Sequence, residues 1–188
     1  MSPQLIAPTV AVQASFLAAM DEFRAEGADR SVHSNLAKEL RGWRTRWPSA
    51  EGFAAYLDMI GGTSYDERAD GTVPVTTLWW VNDDTYLGRI ALRHRLTGTL
   101  LDYGGHIGYA VRPSARRRGH ATGMLRAALP YAHRELGLDP VLVTCDHTNT
   151  GSRRVIEACG GVFEDQRAEK LRFWIHDDGR AAADDDDG

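Results

Sequence analysis

The segment from His106 to Leu136 constrains the fold more than any other, because its hydrophobic period switches there across one short turn. His106 to Arg112 reads as a short strand, ended by Pro113, which has no N–H to give a sheet ladder. From Gly119 to Leu136, the residues Ala121, Met124, Leu125, Ala128, Leu129, Ala132 and Leu136 recur at helical spacing. Gly137 suits the helix's C-terminal cap, and Pro130 inside it is expected to kink it by removing a hydrogen bond. The turn between strand and helix is Arg112-Pro-Ser-Ala-Arg116-Arg-Arg-Gly119-His-Ala121-Thr122.

This turn has the chemistry of an anion site. The first amides of a helix lack internal partners and carry partial positive charge outward. Gly119 removes a side chain that would block a ligand, and Ala121 keeps the next turn small. Amides from Gly119 through His120, Ala121 and Thr122, with Arg116, Arg117 and Arg118 nearby, make a phosphate-sized seat. The alternative is a solvated basic loop. The segment lacks the Gly-Lys-Ser/Thr ending of a P-loop and the three-glycine dinucleotide fingerprint. No aromatic residues interleave with the arginines, which argues against a nucleic-acid surface.

The remaining chain reads as helices first and strands afterwards. Helices are expected over Gln13–Glu26, Ser34–Arg46 and Ser49–Ile60. In the third, Ser49 precedes Gly52 where a capping box would place Glu. Thr63–Gly71 is polar and reads as a surface loop. Strands are expected over Val75–Asn82 and Tyr86–Arg95, joined at Asn82-Asp83-Asp84, with Leu96–Gly105 as a connection. Val141–Cys145 is an apolar run, hence a buried strand. Asn149–Cys159 is a helix with Asn149 as N-cap, and Gly161–Glu164 and Lys170–His176 are closing strands. Together these give an α+β domain around one mixed sheet.

At 188 residues the chain is one domain by size. We expect a single domain over 1–176, with a helical N-terminal segment over about 1–62. Net charge is −4, but residues 177–188 hold six acids against one arginine, so the body sums to +1. The acidic end reads as a disordered, solvated tail. A near-neutral body is not that of a dedicated nucleic-acid binder. No stretch approaches the roughly 20 apolar residues that span a bilayer. The N-terminus lacks the basic opening of a secretory signal. Cys145 and Cys159 show no zinc spacing and are too few for a disulfide scaffold, so no metal is expected and a reduced, cytoplasmic setting is.

The segment Arg116-x-x-Gly119-x-Ala121 resembles motif A of the GNAT superfamily of acyl-CoA-dependent N-acetyltransferases. Gly104-Gly-His-Ile-Gly-Tyr109-Ala-Val-Arg-Pro-Ser114 resembles the family's fourth strand. Val143-Thr-Cys-Asp-His-Thr-Asn149-x-x-Ser152-x-x-Val-Ile-Glu157-x-x-Gly160-Gly161 resembles its fifth strand and the helix after it. Arg93-His94-x-Leu96 fits a bacterial subgroup of predicted acetyltransferases. The resemblance covers Val73 to Ile175 and, loosely, the helical part before it. It implies the GNAT fold, a mixed central sheet with splayed fourth and fifth strands flanked by helices. It implies acetyl-CoA as co-substrate, held in the gap by the turn after Arg116. It also implies a backbone amide in Tyr109-Ala110-Val111 that polarises the thioester carbonyl, and an amine acceptor attacking directly in a ternary complex. Family members often dimerise.

Acid–base groups are less determined. His106 is the preferred base, since its ordinary pKa suits proton uptake near neutrality. The alternative is a hydrogen bond to the Gly104-Gly105 loop. Many members protonate the thiolate with a tyrosine on the helix after the fifth strand. Counting from Asn149, that position is Ile156, so Tyr109, Tyr103 or a water is left for the role. The resemblance implies that Asn149, with Ser152 on the cofactor side, contacts the pantetheine or an ordered water. Cys145 and His147 share a strand face and allow a Cys–His acyl-enzyme in principle, the alternative being a buried cysteine. His94, with Arg93 and Arg95, is a further candidate to line the acceptor side, the alternative being a structural histidine in a strand. The acceptor expected is a small-molecule amine or amino acid, with a protein N-terminus or lysine as the alternative. A non-catalytic acyl-CoA-binding module on the same fold is the second reading.

Overall fold

The computed structural model describes residues 2–30, 34–61, 64–66 and 73–177. Eight strands form one sheet: β1 (Gln4–Ile6), β2 (Ser64–Asp66), β3 (Val73–Asn82), β4 (Thr85–Arg93), β5 (Ile107–Val111), β6 (Val141–Asp146), β7 (Val162–Arg167) and β8 (Lys170–Ile175). Their order is β1-β3-β4-β5-β6-β8-β7, with β2 paired to β3 off that path. Among the described residues, every pair is antiparallel except β5 with β6. The helices are α1 (Gln13–Ala25), α2 (Asn35–Gly42), α3 (Ala50–Gly61), α4 (His120–Arg134) and α5 (Thr150–Ala158).

Each face of the sheet carries its own core, because neighbouring strand residues point to opposite sides. On β3, Trp80 belongs to a cluster with Met124, Leu125 and Ala128 of α4, Ile156 of α5, and Ile107, Val143 and Phe173 of the sheet. Trp79 and Val81 belong to the other cluster, with Phe16, Met20 and Phe23 of α1, Leu40 of α2 and Phe53, Tyr56 and Ile60 of α3. Helices α4 and α5 therefore cover one face and α1 to α3 the other. Inside the second core, Glu39 of α2 accepts hydrogen bonds from Arg89 of β4 and from the Tyr56 hydroxyl, the latter at 2.7 Å.

Local chemistry sets the helix starts. Ser34 Oγ accepts from Ala37 N–H, Ser49 Oγ from Gly52 N–H at 3.0 Å, and Asn149 Oδ1 from Ser152 N–H at 3.0 Å. Gly52 stands where a capping box would place Glu because a Cβ there would lie 2.1 Å from the Arg46 carbonyl oxygen.

Several expectations change. Gln4–Ile6, read as part of a helical first third, is an edge strand whose Leu5 pairs with Trp80. Ser64–Asp66 lies in the stretch expected to be a polar loop, yet it pairs with β3. The rest of that expected loop, and all but Asp177 of the expected acidic tail, lie outside the described residues. The connection before β5 winds into a single π-helical turn, Leu100–Gly104. Helix α4 runs on through Pro130.

Candidate active site

The site begins where two parallel strands stop pairing. Among the described residues, Ile107↔Val143 is the single register pair between β5 and β6. Just before it, His106 N–H donates to the Leu142 carbonyl at 2.7 Å, and Leu142 N–H donates to His106 Nδ1 at 2.9 Å. Gly105 allows this approach. Its φ is +66°, and a Cβ would sit 2.7 Å from the Leu142 oxygen. From Gly108 onward the strands part around a cleft of about 1280 Å3, bordered by Tyr109, Ala110 and Val111 on one side and Cys145 and Ser152 on the other.

Strand alternation shows which main-chain groups face this gap. Arg112 N–H donates to the Leu87 carbonyl, and the His106 carbonyl accepts from Arg93 N–H, both toward β4. Residues 108 and 110 share that direction, so the peptide groups of Tyr109 and Val111 face the gap. The Val111 carbonyl is taken by Arg116 Nε at 3.1 Å. The Tyr109 N–H faces the space where β6 has left the ladder.

The mouth of the cleft is the start of α4. Gly119 caps it at φ +81° with no side-chain cap, and a Cβ there would meet nothing within 4 Å. Gly123 N–H is the first with a helical partner, the Gly119 carbonyl, so those of His120, Ala121 and Thr122 precede the ladder. Arg117, Gly119, His120, Ala121 and Thr122 all border the cleft. His120 Nδ1 accepts from Trp80 Nε1 at 3.4 Å.

The three arginines separate. Arg117 borders the cleft in a left-handed conformation, φ +61°. Arg118 is exposed and is not among the lining residues. Arg116 borders the cleft, but its guanidinium is bound to both Glu26 oxygens, at 2.8 and 2.5 Å. That pairing ties Arg116, expected as a phosphate ligand, to the end of α1 while it still borders the cleft.

Inside the gap, the Tyr109 hydroxyl lies 2.7 Å from Ser152 Oγ, joining β5 to α5 across the opening. Burial pushes its pKa up to about 12, against the hydrogen bond with Ser152, so it holds its proton throughout the neutral range. Cys145 lines the gap, and burial followed by the Asp146 charge pushes its thiol upward. His147 is turned to Glu169 instead, at 2.9 Å, so the Cys–His acyl-enzyme has neither a thiolate nor a paired base. Asn149, Ser152 and Val155 present α5 to the cleft. Ile156, the position counted for a family tyrosine, is fully buried beneath, so the cleft-facing residue is Val155, one place earlier.

His106 is corrected as a base. It is 6% exposed and is not among the cleft's lining residues. Burial, and then the Arg93 charge, push its pKa down to about 4. Nδ1 already accepts from Leu142, so the neutral ring has its hydrogen on Nε2 and offers no free lone pair. His106 is the pin that holds β5 to β6 where they begin to part. His94 is likewise occupied, 2.8 Å from Thr76 Oγ1, and does not line the cleft. Its neighbour Arg93, 5% exposed, borders the cleft and donates to the Gly104 and Gly105 carbonyls at 3.3 and 3.0 Å.

Sequence reasoning missed other parts. Glu169 and Lys170 reach the same cleft from the β7–β8 turn. Glu22 and Glu26 hold the basic turn from α1. Their i, i+4 spacing on one helix face was the available sign. Among the described residues, no group of His, Cys, Asp and Glu side chains is placed to hold a metal, and no helix is long and apolar enough to cross a membrane.

Comparison with known proteins agrees with this geometry. PaiA N-acetyltransferase from Thermoplasma acidophilum, solved with coenzyme A, superposes with a TM-score of 0.56 at 11% identity, over 94% of this chain and 99% of that one. RimJ from Mycobacterium smegmatis, solved with CoA-disulfide, gives 0.58 at 16% identity, over 92% and 80%. RimL, a ribosomal L7/L12 alpha-N-protein acetyltransferase solved with coenzyme A, gives 0.57 at 12% identity, over 93% of each. At these identities the likeness shows the fold. No curated protein matches the sequence. The acetyltransferase (GNAT) domain family matches residues 20–162, more than half of the chain. GNAT enzymes use acetyl-CoA, and this chain belongs to the GNAT acetyltransferases.

Proposed function

We propose that the protein is an N-acetyltransferase that moves the acetyl group of acetyl-CoA to an amine of a small-molecule acceptor, by direct attack in a ternary complex. The observation that carries this reading is the parting of β5 from β6 after one pair, with the uncapped start of α4 at the mouth of the opening. The residues fit the co-substrate. The space at Gly119 is open, with nothing within 4 Å of where a Cβ would stand, which leaves room for a diphosphate, and the amides of His120, Ala121 and Thr122 present hydrogen-bond donors to it. The cleft walls of Ala110, Val111, Cys145 and Val155 suit a pantetheine arm, with Asn149 and Ser152 as its polar partners.

When bound, acetyl-CoA supplies an activated acyl group on a good leaving thiolate. The chain orients it and stabilises charge. The Tyr109 N–H faces the gap and acts as the donor toward the thioester oxygen. The Tyr109 hydroxyl, protonated through the neutral range and steadied by Ser152, gives the departing sulfur its proton. The acceptor enters over Gly108 and Ala110, on the face that α1 to α3 cover. We place the reaction in one cytoplasmic domain over 1–176, with 177–188 as a solvating tail; whether two copies associate does not alter this chemistry.

The test is free-thiol release from acetyl-CoA across an amine panel, alongside melting temperature. Acetyl-CoA at 100 Kd should add about 2.7 kcal/mol of stability. Gly119→Glu should abolish that gain by placing a carboxylate against the diphosphate. A melting temperature indifferent to millimolar acetyl-CoA would sink the reading. A gain with no thiol release on any amine would favour the non-catalytic module, which the absence of tyrosine from α5 motivates.

A further inference from the structure

The anion-binding turn is held in shape by a helix from the opposite face of the sheet. Glu22 of α1 accepts from Arg112 Nε at 2.7 Å, from Ser114 N–H at 3.0 Å and from the Ser114 hydroxyl at 3.1 Å. Arg112 also donates to Ser15 Oγ at 3.2 Å. One helical turn further on, Glu26 takes the Arg116 guanidinium in a two-pronged pair, and that guanidinium lies 5.9 Å from the centre of the Phe23 ring. The first, middle and last residues of the turn 112–116 are thus all fastened to α1. Burial pushes the Glu22 carboxyl up, but the bonds from Arg112 and Ser114 outweigh it and hold it below the usual carboxylate range.

The backbone just beyond the fastened turn is strained. Arg117 at φ +61° and Gly119 at φ +81° put two left-handed residues into the four that lead to α4. The arginine suffers steric strain there that glycine escapes. Such a conformation persists only where its surroundings over-determine it, and here the surroundings are the two carboxylates. Release of the turn would let Arg117 relax toward ordinary backbone and turn the amides of His120, Ala121 and Thr122 away from the cleft.

We propose that Glu22 and Glu26 are positioning residues for the co-substrate: through Arg112, Ser114 and Arg116 they set the aim of the α4 amides at the diphosphate. The inference rests on the acetyl-CoA reading above. It gives Arg116 a structural duty in place of phosphate contact, and it makes the helix covering the acceptor face a support of the cofactor seat.

Coenzyme A and S-acetylpantetheine, which lacks the diphosphate, are the probes, with affinities measured by calorimetry on the full chain. Glu26→Gln should weaken coenzyme A about tenfold, the equivalent of about 1.4 kcal/mol, and leave S-acetylpantetheine unchanged. Glu22→Gln should do the same. If it fails to fold, Glu26→Gln, whose site is half exposed, decides alone. The charge swap Glu26→Arg with Arg116→Glu should restore coenzyme A to within about threefold of the unaltered protein. If Arg116 instead binds phosphate directly, Glu26→Gln frees its guanidinium and affinity stays or rises, and the swap fails to rescue. Either result overturns the proposal, as does an equal loss of both probes. Absence of coenzyme A binding by the unaltered protein is a separate outcome, which removes the acetyl-CoA reading and this inference with it.

Discussion

Acidification should reach this protein first through His106. The folded chain holds the ring neutral, with its pKa pushed down from 6.5 to about 4 by burial and by the Arg93 charge. Protonation at Nδ1 would set an N–H against the Leu142 N–H it now accepts, so the pair between β5 and β6 would repel. Below pH 6.5 the unfolded chain takes up a proton that the folded chain refuses. Stability therefore falls as pH drops, beginning near 6.5 and levelling off near 4. A depression of this size corresponds to roughly 3 kcal/mol across that window. The assay is urea unfolding at intervals from pH 7.5 to 4, on the unaltered protein and two variants. His106→Asn keeps an acceptor near the Nδ1 position without a titrating group. It should stay close to the unaltered stability at pH 7.5 and lose most of the acid dependence in this window. His106→Ala strands the buried Leu142 N–H and leaves a cavity, costing about 2–4 kcal/mol at pH 7.5. Equal acid slopes for the unaltered protein and His106→Asn would refute the reasoning. A rate–pH profile flattened by His106→Asn would return His106 to the role of base.

Tyr109→Phe should lower kcat about 100-fold with little change in coenzyme A affinity, and the unaltered enzyme should show no Tyr109 alkaline limb below pH 10. An unimpaired Phe variant in single-turnover thiol release would remove the tyrosine as proton donor. Gly105→Ala forces a Cβ into left-handed backbone against the Leu142 oxygen, at a cost of at least about 1–2 kcal/mol, read by thermal or urea unfolding. A change below about 0.5 kcal/mol would show that the strands approach less closely than described. Arg89→Met leaves the Glu39 carboxylate buried without its cation and should cost about 3–5 kcal/mol. A loss under about 1 kcal/mol in the same measurement would mean that water reaches Glu39.

The strands and helices from Val73 to Ile175 were legible because each has a clean period and a chemical stop: Pro113 after β5, Gly119 before α4, Asn149 before α5. Gln4–Ile6 was not, since three residues carry no periodicity and pair with β3 only once the sheet exists. The start of α4 was legible from Gly119 because a left-handed cap must be declared in the sequence. The fates of Arg116 and His106 were not, because each is decided by a partner far along the chain, Glu26 for one and Leu142 N–H for the other. Residue type said what these groups are able to do. Which lone pair or guanidinium edge remained free was settled by packing. Which face of α5 the counted position Ile156 takes was not legible either: it is buried while Val155 borders the cleft, since one residue on a helix is a rotation of about 100°.

Phe16 sits at the centre of a ring of aromatics, its own ring within 5.5 Å, centre to centre, of Trp47, Phe53, Tyr56, Trp79 and Tyr86. Those five partners come from α3, the segment before it, and the β3–β4 hairpin. Anyone who grafts new acceptor-side helices onto this scaffold to redirect its specificity inherits that arrangement. A transplanted first helix without a phenylalanine at this position would leave a void the size of a benzene ring against β3 and β4, the second of which pairs with β5 beside the cleft, so the exchange has to carry the whole aromatic set or none of it.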